Sequence, residues 1–463
     1  MQSRKENIDA PEQVAPYPRR VSGPLPRRLL FVLWSASACG ARTGLEGPPD
    51  AALEAAPDVA ATPDAGPGDV PLQPPSCGRL TPVGSVRSAV AGVTGHAAID
   101  ADGTIYAPYE TAERGRGVVA LDACGRERWR APAVRPTRGG RVLGGEVRLS
   151  TGGDVLLTSM YGDTAARGLW RFGRDGAARP PYPAVDAVVR FVGLPPGRGP
   201  VLVTQGAMTT VGRLAGFDLA GRQTLDAPDW SNVNECAVSG TVVGCLDTAL
   251  DLAGGRRLWS EPYEILDGTL RHALPPAIDG DRIYVAFFGL SSYVLVAREL
   301  RTGRALWRVN LARSTRGQVD LLMGAPVVGA DGTVYVYVNV HRGGGASGEL
   351  VAVRRDGTRA WGFGADATRT DYQRYATHAV GRAGVIYLAV GRALYAVGED
   401  GRQRWTLAIP EGANASAPVL SPNGDLALHT DDDRLLVVAT ESAGAAPSAW
   451  PLTGGDARNG NAR

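Results

Sequence analysis

Residues 331–361 read DGTVYVYVNVHRGGGASGELVAVRRDGTRAW, and this stretch decides the fold. It opens with Gly-Thr-Val-Tyr, continues through the apolar run Leu-Val-Ala-Val, and closes with a glycine four residues before a tryptophan. The same phrase occurs at residues 103–129, where it closes with Gly125 and Trp129. A phrase that returns in this way is typical of a repeat protein.

Further copies of the phrase fill most of the chain after residue 80. Two clear copies close at Gly303 and Gly401, each with a tryptophan four residues later, and weaker copies close at Gly176, Gly221 and Gly255. A last, incomplete unit covers residues 417–438. The spacing of roughly 40–50 residues fits units of four short strands. The sequence therefore predicts eight units, or seven if the short fourth unit merges with a neighbour.

The apolar runs within each unit predict strands rather than helices. They are short, rich in Val, Ile, Leu and Tyr, and bounded by Gly, Asp and Arg, and no convincing amphipathic helix is present. Pairs typical of tight hairpin turns separate them: Asp102-Gly103, Asp331-Gly332, Asp356-Gly357, Asp400-Gly401 and Asn423-Gly424. Because one small sheet cannot bury both faces, the units must stack and close into a ring. We expect an all-β fold, a β-propeller of four-stranded blades.

The recurring tryptophans are predicted to pack one blade against the next. Large aromatic side chains dominate core packing, and these recur with the period of the fold, so packing is favoured over stacking on a ligand. The predicted blade-packing residues are Trp129, Trp259, Trp307, Trp361 and Trp405.

The first 39 residues resemble a bacterial lipoprotein signal peptide. Two arginines precede a short apolar run at residues 29–34, which is too brief to span a bilayer, and the small residues 35–38 precede Cys39. Cys39 is the expected site of lipidation, although Ala36 stands where such peptides usually have Leu. Residues upstream of Arg27 are long and mixed for a leader, which favours a start further along, near Val21. A disordered extension is the alternative.

Residues 40–78 form a predicted tether, and residues 79–463 form the predicted propeller. The tether is dominated by Ala, Pro, Asp and Gly, a composition that cannot build a core and stays extended. The excess of basic residues lies in the leader, and the rest of the chain is nearly neutral. The charge distribution therefore shows no footprint of nucleic-acid binding.

With Cys39 lipidated, an even number of cysteines is left, which in an exported protein indicates disulfides. Cys236 and Cys245 flank a Gly-containing stretch and are predicted to pair across a hairpin. The remaining hypothesis is a bond from Cys77 to Cys124, which ties the start of the ring to its first unit.

The repeat resembles that of the pyrroloquinoline-quinone-like (PQQ-like) β-propellers. The resemblance rests on the tyrosine of the second strand, the Val-Ala-Leu-Asp run and the Gly-x-x-x-Trp close, and on the C-terminal phrase from Trp450-Pro451 to Asp456-Ala457-Arg458. It covers the chain from about residue 80 and is strong in four units. The family includes quinone-dependent dehydrogenases and also cofactor-free lipoproteins, such as the propeller subunit of the outer-membrane protein insertion machine.

The enzymatic branch of that family implies two neighbouring cysteines, a calcium site of Glu, Asn and Asp, and an Asp base, and none of these stands out here. We therefore predict no catalytic residue, no metal and no cofactor. The run Asp431–Asp433 indicates a solvated hairpin turn rather than a calcium loop. Gly343–Gly345 indicates a long hairpin loop rather than a phosphate cradle.

The histidines lack metal-ligand spacing, and scattered, hydrogen-bonded histidines are the favoured interpretation. Three of them, His96, His272 and His378, precede the first strand pair of their units, which leaves open that they face one end of the central channel together. The full set is His96, His272, His341, His378 and His429.

The sequence thus predicts an exported lipoprotein, anchored at the cell envelope on the outer membrane, whose monomeric ring is a non-catalytic scaffold for other envelope proteins. The longer loops expected to bind partners are 110–117, 342–347 and 365–377. Two alternatives stay open. One is a quinone-dependent dehydrogenase, and the other is a surface carbohydrate-binding propeller with Tyr109, Tyr161 and Tyr372 as exposed loop aromatics.

Overall fold

The computed structural model describes most of the chain between Pro82 and Leu452. The residues described are 82–111, 115–134, 145–159, 169–180, 182, 188–195, 197–205, 212–230, 236–261, 272–288, 292–313, 324–342, 345–365, 377–409, 413–447 and 452. Cys39, Cys77 and the predicted leader and tether lie outside these ranges. Over the described ranges, the search for a helix long and apolar enough to cross a membrane finds none.

The described chain folds into eight antiparallel sheets, which confirms the all-β prediction and the count of eight blades. Blade 1 contains β2 (Ala98–Ile99), β3 (Ile105–Thr111), β4 (Gly115–Leu121) and β5 (Glu127–Val134). Blade 2 contains β6 (Gly145–Leu149), β7 (Asp154–Ser159), β8 (Leu169–Gly173) and β9 (Ala178–Arg179). Blade 3 contains β10 (Val188–Gly193), β11 (Val201–Gln205), β12 (Gly212–Phe217) and β13 (Gln223–Trp230). Blade 4 contains β14 (Cys236–Ser239), β15 (Val242–Cys245), β16 (Thr248–Asp251) and β17 (Arg256–Ser260).

The second half of the ring repeats this order. Blade 5 contains β18 (His272–Ala273), β19 (Ala277–Asp279), β20 (Arg282–Phe288), β21 (Ser292–Glu299) and β22 (Ala305–Arg313). Blade 6 contains β23 (Val327–Val328), β24 (Val334–Arg342), β25 (Gly345–Val353) and β26 (Arg359–Gly364). Blade 7 contains β27 (Thr377–Val380), β28 (Ile386–Val390), β29 (Ala393–Val397) and β30 (Gln403–Ala408). Blade 8 contains β31 (Ala415–Leu420), β32 (Leu426–Thr430), β33 (Arg434–Val438) and, as its outer strand, β1 (Val86–Ala91).

The blades form a closed ring with the first strand of each sheet innermost. Contacts between neighbouring blades run around the whole ring. They join β2 to β6, β7 to β10, β10 to β14, β14 to β19, β19 to β23, β23 to β27, β27 to β31, and β31 back to β2. Closure is achieved by β1, which pairs antiparallel with β33. The first described strand and the last blade are thereby joined, and the ring has no unpaired end.

The C-terminal segment strengthens this closure. After β33 the chain crosses to blade 7, where Ala446 donates its N–H to the carbonyl of Val380 at 2.8 Å. Leu452, within the Trp-Pro…Asp-Ala-Arg phrase, bridges to Ala379 of β27 and is buried. Both ends of the described chain therefore hold the junction of blades 7 and 8.

The core lies between the blades rather than within one central cluster. On β4, Val118 and Ala120 belong to the cluster shared with blade 2, whereas Val119 and Leu121 belong to the cluster shared with blades 7 and 8. Successive side chains of a strand point to opposite faces, and here both faces are buried. This is why the strands appear in the sequence as continuous apolar runs.

The two ends of the ring differ in their connections. The end with the tight turns between first and second strands and between third and fourth strands is called the turn face, and it is fully described for blades 1, 2, 4, 5, 6 and 7. The opposite end, called the loop face, carries the connections between second and third strands and between blades. Much of the loop face lies outside the described residues.

Candidate functional site

The predicted blade-packing tryptophans lie at the junctions between blades. Trp361 of blade 6 donates its indole N–H to the carbonyl of Glu399 at 2.7 Å, and its ring covers Gly401 of blade 7. A Cβ added at Gly401, where φ is 77°, would come within 2.8 Å of that ring. The closing glycine is therefore required both by the turn and by the neighbouring indole.

Four other tryptophans repeat this arrangement. Each covers a positive-φ glycine of the next blade, and the pairs are Trp129 on Gly176, Trp259 on Gly303, Trp307 on Gly357 and Trp405 on Gly84. The first three donate to backbone carbonyls of Arg174, Leu300 and Arg355. Trp405 instead donates to the Glu441 carboxylate at 3.0 Å, since its junction is built by the two ends of the described chain.

The remaining three junctions use other side chains. Tyr182 lies nearest Gly221 and Leu225 nearest Gly255, whereas β1 places Ser88 against Gly125. Burial raises the pKa of the Tyr182 hydroxyl to about 12, so this tyrosine is neutral at physiological pH. These substitutions explain why the repeat is faint in the second and third units.

One disulfide lies within blade 4. Cys236 of β14 pairs directly with Cys245 of β15, as the sequence predicted, and both side chains are buried. Cys124 in the last turn of blade 1 is also disulfide-bonded. Its predicted partner, Cys77, lies outside the described residues.

A polar cluster occupies the inner rim of the loop face where blades 1 and 2 meet. His96 and β6 form a parallel bridge: the His96 N–H donates to the Gly145 carbonyl at 3.2 Å, and the Val147 N–H donates to the His96 carbonyl at 3.1 Å. Next to this bridge, Arg148 binds Glu146 at 2.6 Å, and Nδ1 of His96 lies 3.9 Å from the same carboxylate. We call His96, Glu146, Arg148 and the neighbouring His429 the inner-rim cluster.

The pKa values of both imidazoles in the inner-rim cluster are lowered from the ordinary value of 6.5. Desolvation lowers the pKa of His96, the Glu146 carboxylate opposes this shift, and Arg148 adds to it. Burial, followed by the proximity of His96, lowers the pKa of His429 to about 4. The His96 side chain is 40% exposed and lies beside a carboxylate that binds Arg148.

His378 does not join this cluster. His378 is fully buried on β27 and bonds through Nε2 to the carbonyl of Tyr335 in blade 6 at 2.9 Å, and burial lowers its pKa to about 4. His378 therefore belongs to the junction of blades 6 and 7, and the idea that it shares one channel end with His96 and His272 is wrong. His272 lies on β18 and His341 on β24.

The aspartate run of blade 8 is a structural turn, as predicted. Asp431 accepts from the backbone and side-chain N–H groups of Asn414 at 2.8 Å each, and Asp432 accepts from Thr430 at 2.6 Å. These bonds fix the hairpin between β32 and β33 to the chain that leads into β31. The carboxylates are used within the fold.

Two of the loops expected to bind partners are mainly strand. Residues 110 and 111 belong to β3 and residues 115–117 to β4, while 342 ends β24 and 345–347 begin β25. These hairpins are long and paired almost to their tips. The ends of their strands are polar or glycine-rich, so no apolar run in the sequence marks them as strand. The third loop, 365–377, lies outside the described residues between its two ends.

Tyr109 is not an exposed loop aromatic. It lies on β3, is 2% exposed, and has the Arg130 guanidinium over its ring at 4.5 Å. Tyr161 and Tyr372 lie outside the described residues. The carbohydrate-binding alternative therefore loses one of its three residues to core packing.

The described residues do not fit a quinone with calcium. No group of three or more His, Cys, Asp or Glu among them is arranged to hold a metal ion. The acidic group at the inner rim, Glu146, is bound by Arg148, and a guanidinium within hydrogen-bond distance opposes a cation at that carboxylate. Glu146 and Arg148 had no distinguishing sequence signal, because each is an isolated charge in a weak repeat.

Comparison with known proteins agrees with this geometry. The family described as outer membrane protein assembly factor BamB matches residues 237–344, from β14 of blade 4 to the β24–β25 hairpin of blade 6. No curated protein sequence matches the chain. The repeat, the eight-bladed ring and this match over residues 237–344 support a PQQ-like β-propeller.

Solved structures are similar to the chain at low sequence identity. BamB from Moraxella catarrhalis has a TM-score of 0.52 at 16% identity, covering 76% of this chain and 98% of that one. Dihydro-heme d1 dehydrogenase NirN has a TM-score of 0.48 at 16% identity, covering 71% and 72%. Virginiamycin B lyase from Staphylococcus aureus has a TM-score of 0.40 at 11% identity, covering 76% and 98%. At such identities the likeness concerns the fold alone.

Proposed function

We propose that this protein is a cell-envelope lipoprotein whose propeller is a non-catalytic scaffold for other envelope proteins. The observation that carries the proposal is the match of blades 4 to 6 to the family described as outer membrane protein assembly factor BamB. Cys39, at the end of the lipoprotein-like leader, is the anchor in this proposal, and the Pro-rich residues 40–78 separate the ring from the membrane.

The construction of the ring supports a scaffold. Every junction is filled by a side chain seated on a turn glycine of the next blade, and five of these side chains are tryptophans. Charged pairs also cross junctions, such as Arg355 of blade 6 with Asp279 of blade 5 at 3.1 Å. A frame fixed in this way holds the loops of one face in constant positions, which reduces the ordering cost of binding a partner.

Two members of the inner-rim cluster, Glu146 and His429, are poorly suited to act as a general base. A general base requires a proton acceptor with a pKa near the working pH, whereas Glu146 is bound by Arg148 and burial holds the His429 pKa at about 4. The exposed His96 remains a hydrogen-bonding group at the mouth of the ring.

The scaffold proposal is tested by purifying the tagged, full-length protein from detergent-solubilised membranes of its native host and identifying co-purified proteins by mass spectrometry. We expect envelope proteins to be enriched over a tag-only control. Arg116→Glu combined with Arg392→Glu alters the loop face of blades 1 and 7, and Arg126→Glu combined with Arg402→Glu alters the turn face of the same blades. If partners are lost only in the Arg116→Glu, Arg392→Glu variant, the loop face is the binding surface. If no envelope protein is enriched with the unmodified protein, the scaffold proposal is refuted.

The anchor is tested separately by labelling cells with radioactive palmitate. The unmodified protein should carry the label and sediment with membranes, whereas Cys39→Ala should be unlabelled and soluble. Ser37→Ala, which keeps a small residue before the cysteine, is the matched control and should behave as the unmodified protein. Label that persists in Cys39→Ala would exclude lipidation at this residue.

A further inference from the structure

A pocket lies on the turn face where blades 6 and 7 meet. Tyr335 and Trp361 form part of its wall, and its volume is about 590 Å³. Every residue that lines it belongs to the described chain. Four of these residues carry a carboxylate, two from each blade: Asp331 and Asp356 of blade 6, and Glu399 and Asp400 of blade 7.

The equivalent place in blade 1 holds a guanidinium. Arg128, the residue before Trp129, donates to Oγ1 of Thr104 at 2.8 Å, and the same nitrogen lies 3.4 Å from the Asp102 carboxylate. Burial and Asp102 raise the pKa of the nearby Tyr106 hydroxyl, and Arg128 opposes this rise. The chain therefore supplies its own cation to the polar groups at this end of blade 1.

Blade 6 keeps the acceptors and lacks the arginine. Asp331 accepts from the N–H and the hydroxyl of Thr333 at 2.9 and 2.7 Å, and the two counterparts of these residues in blade 1 make the same bonds. The residue before Trp361, however, is Ala360, which lines the pocket. The space that a guanidinium fills in blade 1 is thus open in blade 6.

The opposite wall of the pocket also differs in charge. Trp129 donates its indole N–H to the carbonyl of Arg174 in blade 2, whereas Trp361 donates to that of Glu399 in blade 7. Arg174 and Glu399 therefore hold equivalent positions in their junctions. Arg174 pairs with Asp100 of blade 1, so an acid faces the pocket of blades 6 and 7 where a base serves the first junction.

Two arginines do line the pocket, but both bond elsewhere. Arg355 donates to the Asp279 carboxylate of blade 5 at 3.1 Å, and Arg354 contacts the Thr358 hydroxyl of its own turn at 3.5 Å. Neither is among the groups that shift the pKa of the Tyr335 hydroxyl. The acceptors on the wall of the pocket are therefore not served by these two guanidinium groups.

The Tyr335 hydroxyl is a buried polar group that borders this space. Its side chain is 3% exposed, and it makes no hydrogen bond to another described side chain or backbone group. An atom added at the Cβ position of Gly329 would lie 3.2 Å from Oδ1 of Asp331 and 3.5 Å from the Tyr335 hydroxyl, so both oxygens border one space. Burial, Asp331 and Glu399 all raise the pKa of this hydroxyl, which keeps it neutral and able to accept a hydrogen bond.

We propose that this pocket binds the guanidinium group of a ligand, either an arginine side chain in a peptide or a small guanidinium compound. A guanidinium is planar, carries five N–H donors, binds carboxylates and packs on aromatic rings, which matches the acceptors and the indole of the two walls. The described acids include no group arranged for a metal ion, which favours an organic cation. The site lies on the turn face and does not depend on the scaffold function.

The probe is N-acetyl-arginine amide, titrated into the full-length protein and followed by saturation-transfer difference NMR. Its control is N-acetyl-citrulline amide, which has nearly the same shape and a neutral urea in place of the guanidinium. We expect saturable binding of the arginine probe and binding at least tenfold weaker for the citrulline probe. Absence of arginine binding, or equal binding of both probes, overturns the proposal.

Ethylguanidine separates the two sources of the ligand, because it lacks the peptide groups of the arginine probe. Affinity equal to that of the arginine probe supports a site for small guanidinium compounds. Weaker affinity supports a site for arginine within a peptide.

A matched pair of variants locates the site. Ala360→Arg restores the residue that blade 1 has before its tryptophan, so its own guanidinium should fill the pocket and weaken probe binding at least tenfold. Gly254→Arg adds the same charge to the turn face of blade 4, where an added Cβ meets nothing within 4 Å, and should leave probe binding unchanged. If Ala360→Arg binds the probe as well as the unmodified protein, the pocket is not the site.

Two conservative variants keep the test valid if Ala360→Arg fails to fold. Glu399→Gln removes one charge from an exposed side chain, and Tyr335→Phe removes one hydroxyl while the ring stays against Trp361. Each should weaken binding of the arginine probe at least threefold and leave the circular dichroism spectrum unchanged. Unchanged affinity in both variants would show that these groups do not hold the ligand, which overturns the proposal.

Discussion

Gly401→Ala should destabilise the ring by more than its turn geometry alone requires. Gly401 has φ of 77°, and a methyl group there would come within 2.8–3.0 Å of three atoms of the Trp361 ring. The ring cannot move freely, because its N–H is bonded to Glu399 at 2.7 Å and its face packs on Tyr335 at 5.7 Å between centroids. The added methyl therefore causes both backbone strain and overpacking.

The two contributions are separated by Gly280→Ala. Gly280 also has a positive φ, 58°, but a methyl group there meets nothing within 4 Å. The backbone cost, about 1–2 kcal/mol, applies to both variants, and overpacking adds about 1–3 kcal/mol to Gly401→Ala alone. We expect the free energies of unfolding to differ by this second amount.

The assay is urea unfolding followed by tryptophan fluorescence and circular dichroism, with the disulfides intact. A double-mutant cycle with Trp361→Ala provides the internal check: once the indole is gone, the cost of Gly401→Ala should fall to that of Gly280→Ala. If Gly401→Ala and Gly280→Ala cost the same in the unmodified background, the junction is not close-packed and this explanation of the closing glycines fails.

Three further predictions concern pH, the disulfide and ring closure. Burial lowers the folded-state pKa of His378 from 6.5 to about 4, so the free energy of unfolding should fall as pH drops below 6.5 and level off near 4, by about 3 kcal/mol in total. Urea titrations at pH 7 and 4.5 should show a smaller loss of stability in His378→Gln than in the unmodified protein. An equal loss of stability in both proteins would assign the acid sensitivity to another group. Replacing Cys236 and Cys245 together by Ala should cost about 2–3 kcal/mol, the closure entropy of a loop with sequence separation 9, and a reductant should affect that variant less than the parent. In a Cys124→Ala background, a fragment of residues 77–463 should unfold cooperatively. A fragment of residues 92–463 lacks β1 and should aggregate through the exposed edge of β33. If the shorter fragment is monomeric and unfolds cooperatively, β1 is not needed to close the ring.

The fold could be predicted because its repeating chemistry is local. Each closing glycine combines a tight turn with a tryptophan seat in the next blade, so the same two residue types recur at fixed spacing wherever the junction is built in this way. Where Tyr182 and Leu225 replace tryptophan, a side chain still fills the junction between the blades, and only the repeat in the sequence becomes harder to detect. The count of eight thus depended on turns and strands as much as on the tryptophans.

The strand that closes the ring and the inner-rim cluster could not be predicted, because they depend on distant parts of the chain. β1 lies almost 350 residues before its partner β33, and its segment carries no repeat phrase. His96 and Glu146 come from different blades, 50 positions apart, and meet only because inner strands converge. The strands of the β24–β25 hairpin run into the region where a loop was expected. Residues Gly345–Ser347 pair with β24 although they carry no large apolar side chain.

Three junctions depart from the tryptophan pattern: those of blades 2 with 3, 3 with 4 and 8 with 1. Blade 2 has the two-residue outer strand and uses Tyr182 in place of a junction tryptophan, blade 3 uses Leu225, and the inner-rim cluster lies where blades 1 and 2 meet. At these junctions Tyr182, Leu225 and Ser88 still lie over a positive-φ glycine of the next blade. The ring therefore requires a side chain on each turn glycine but does not require an indole at every junction.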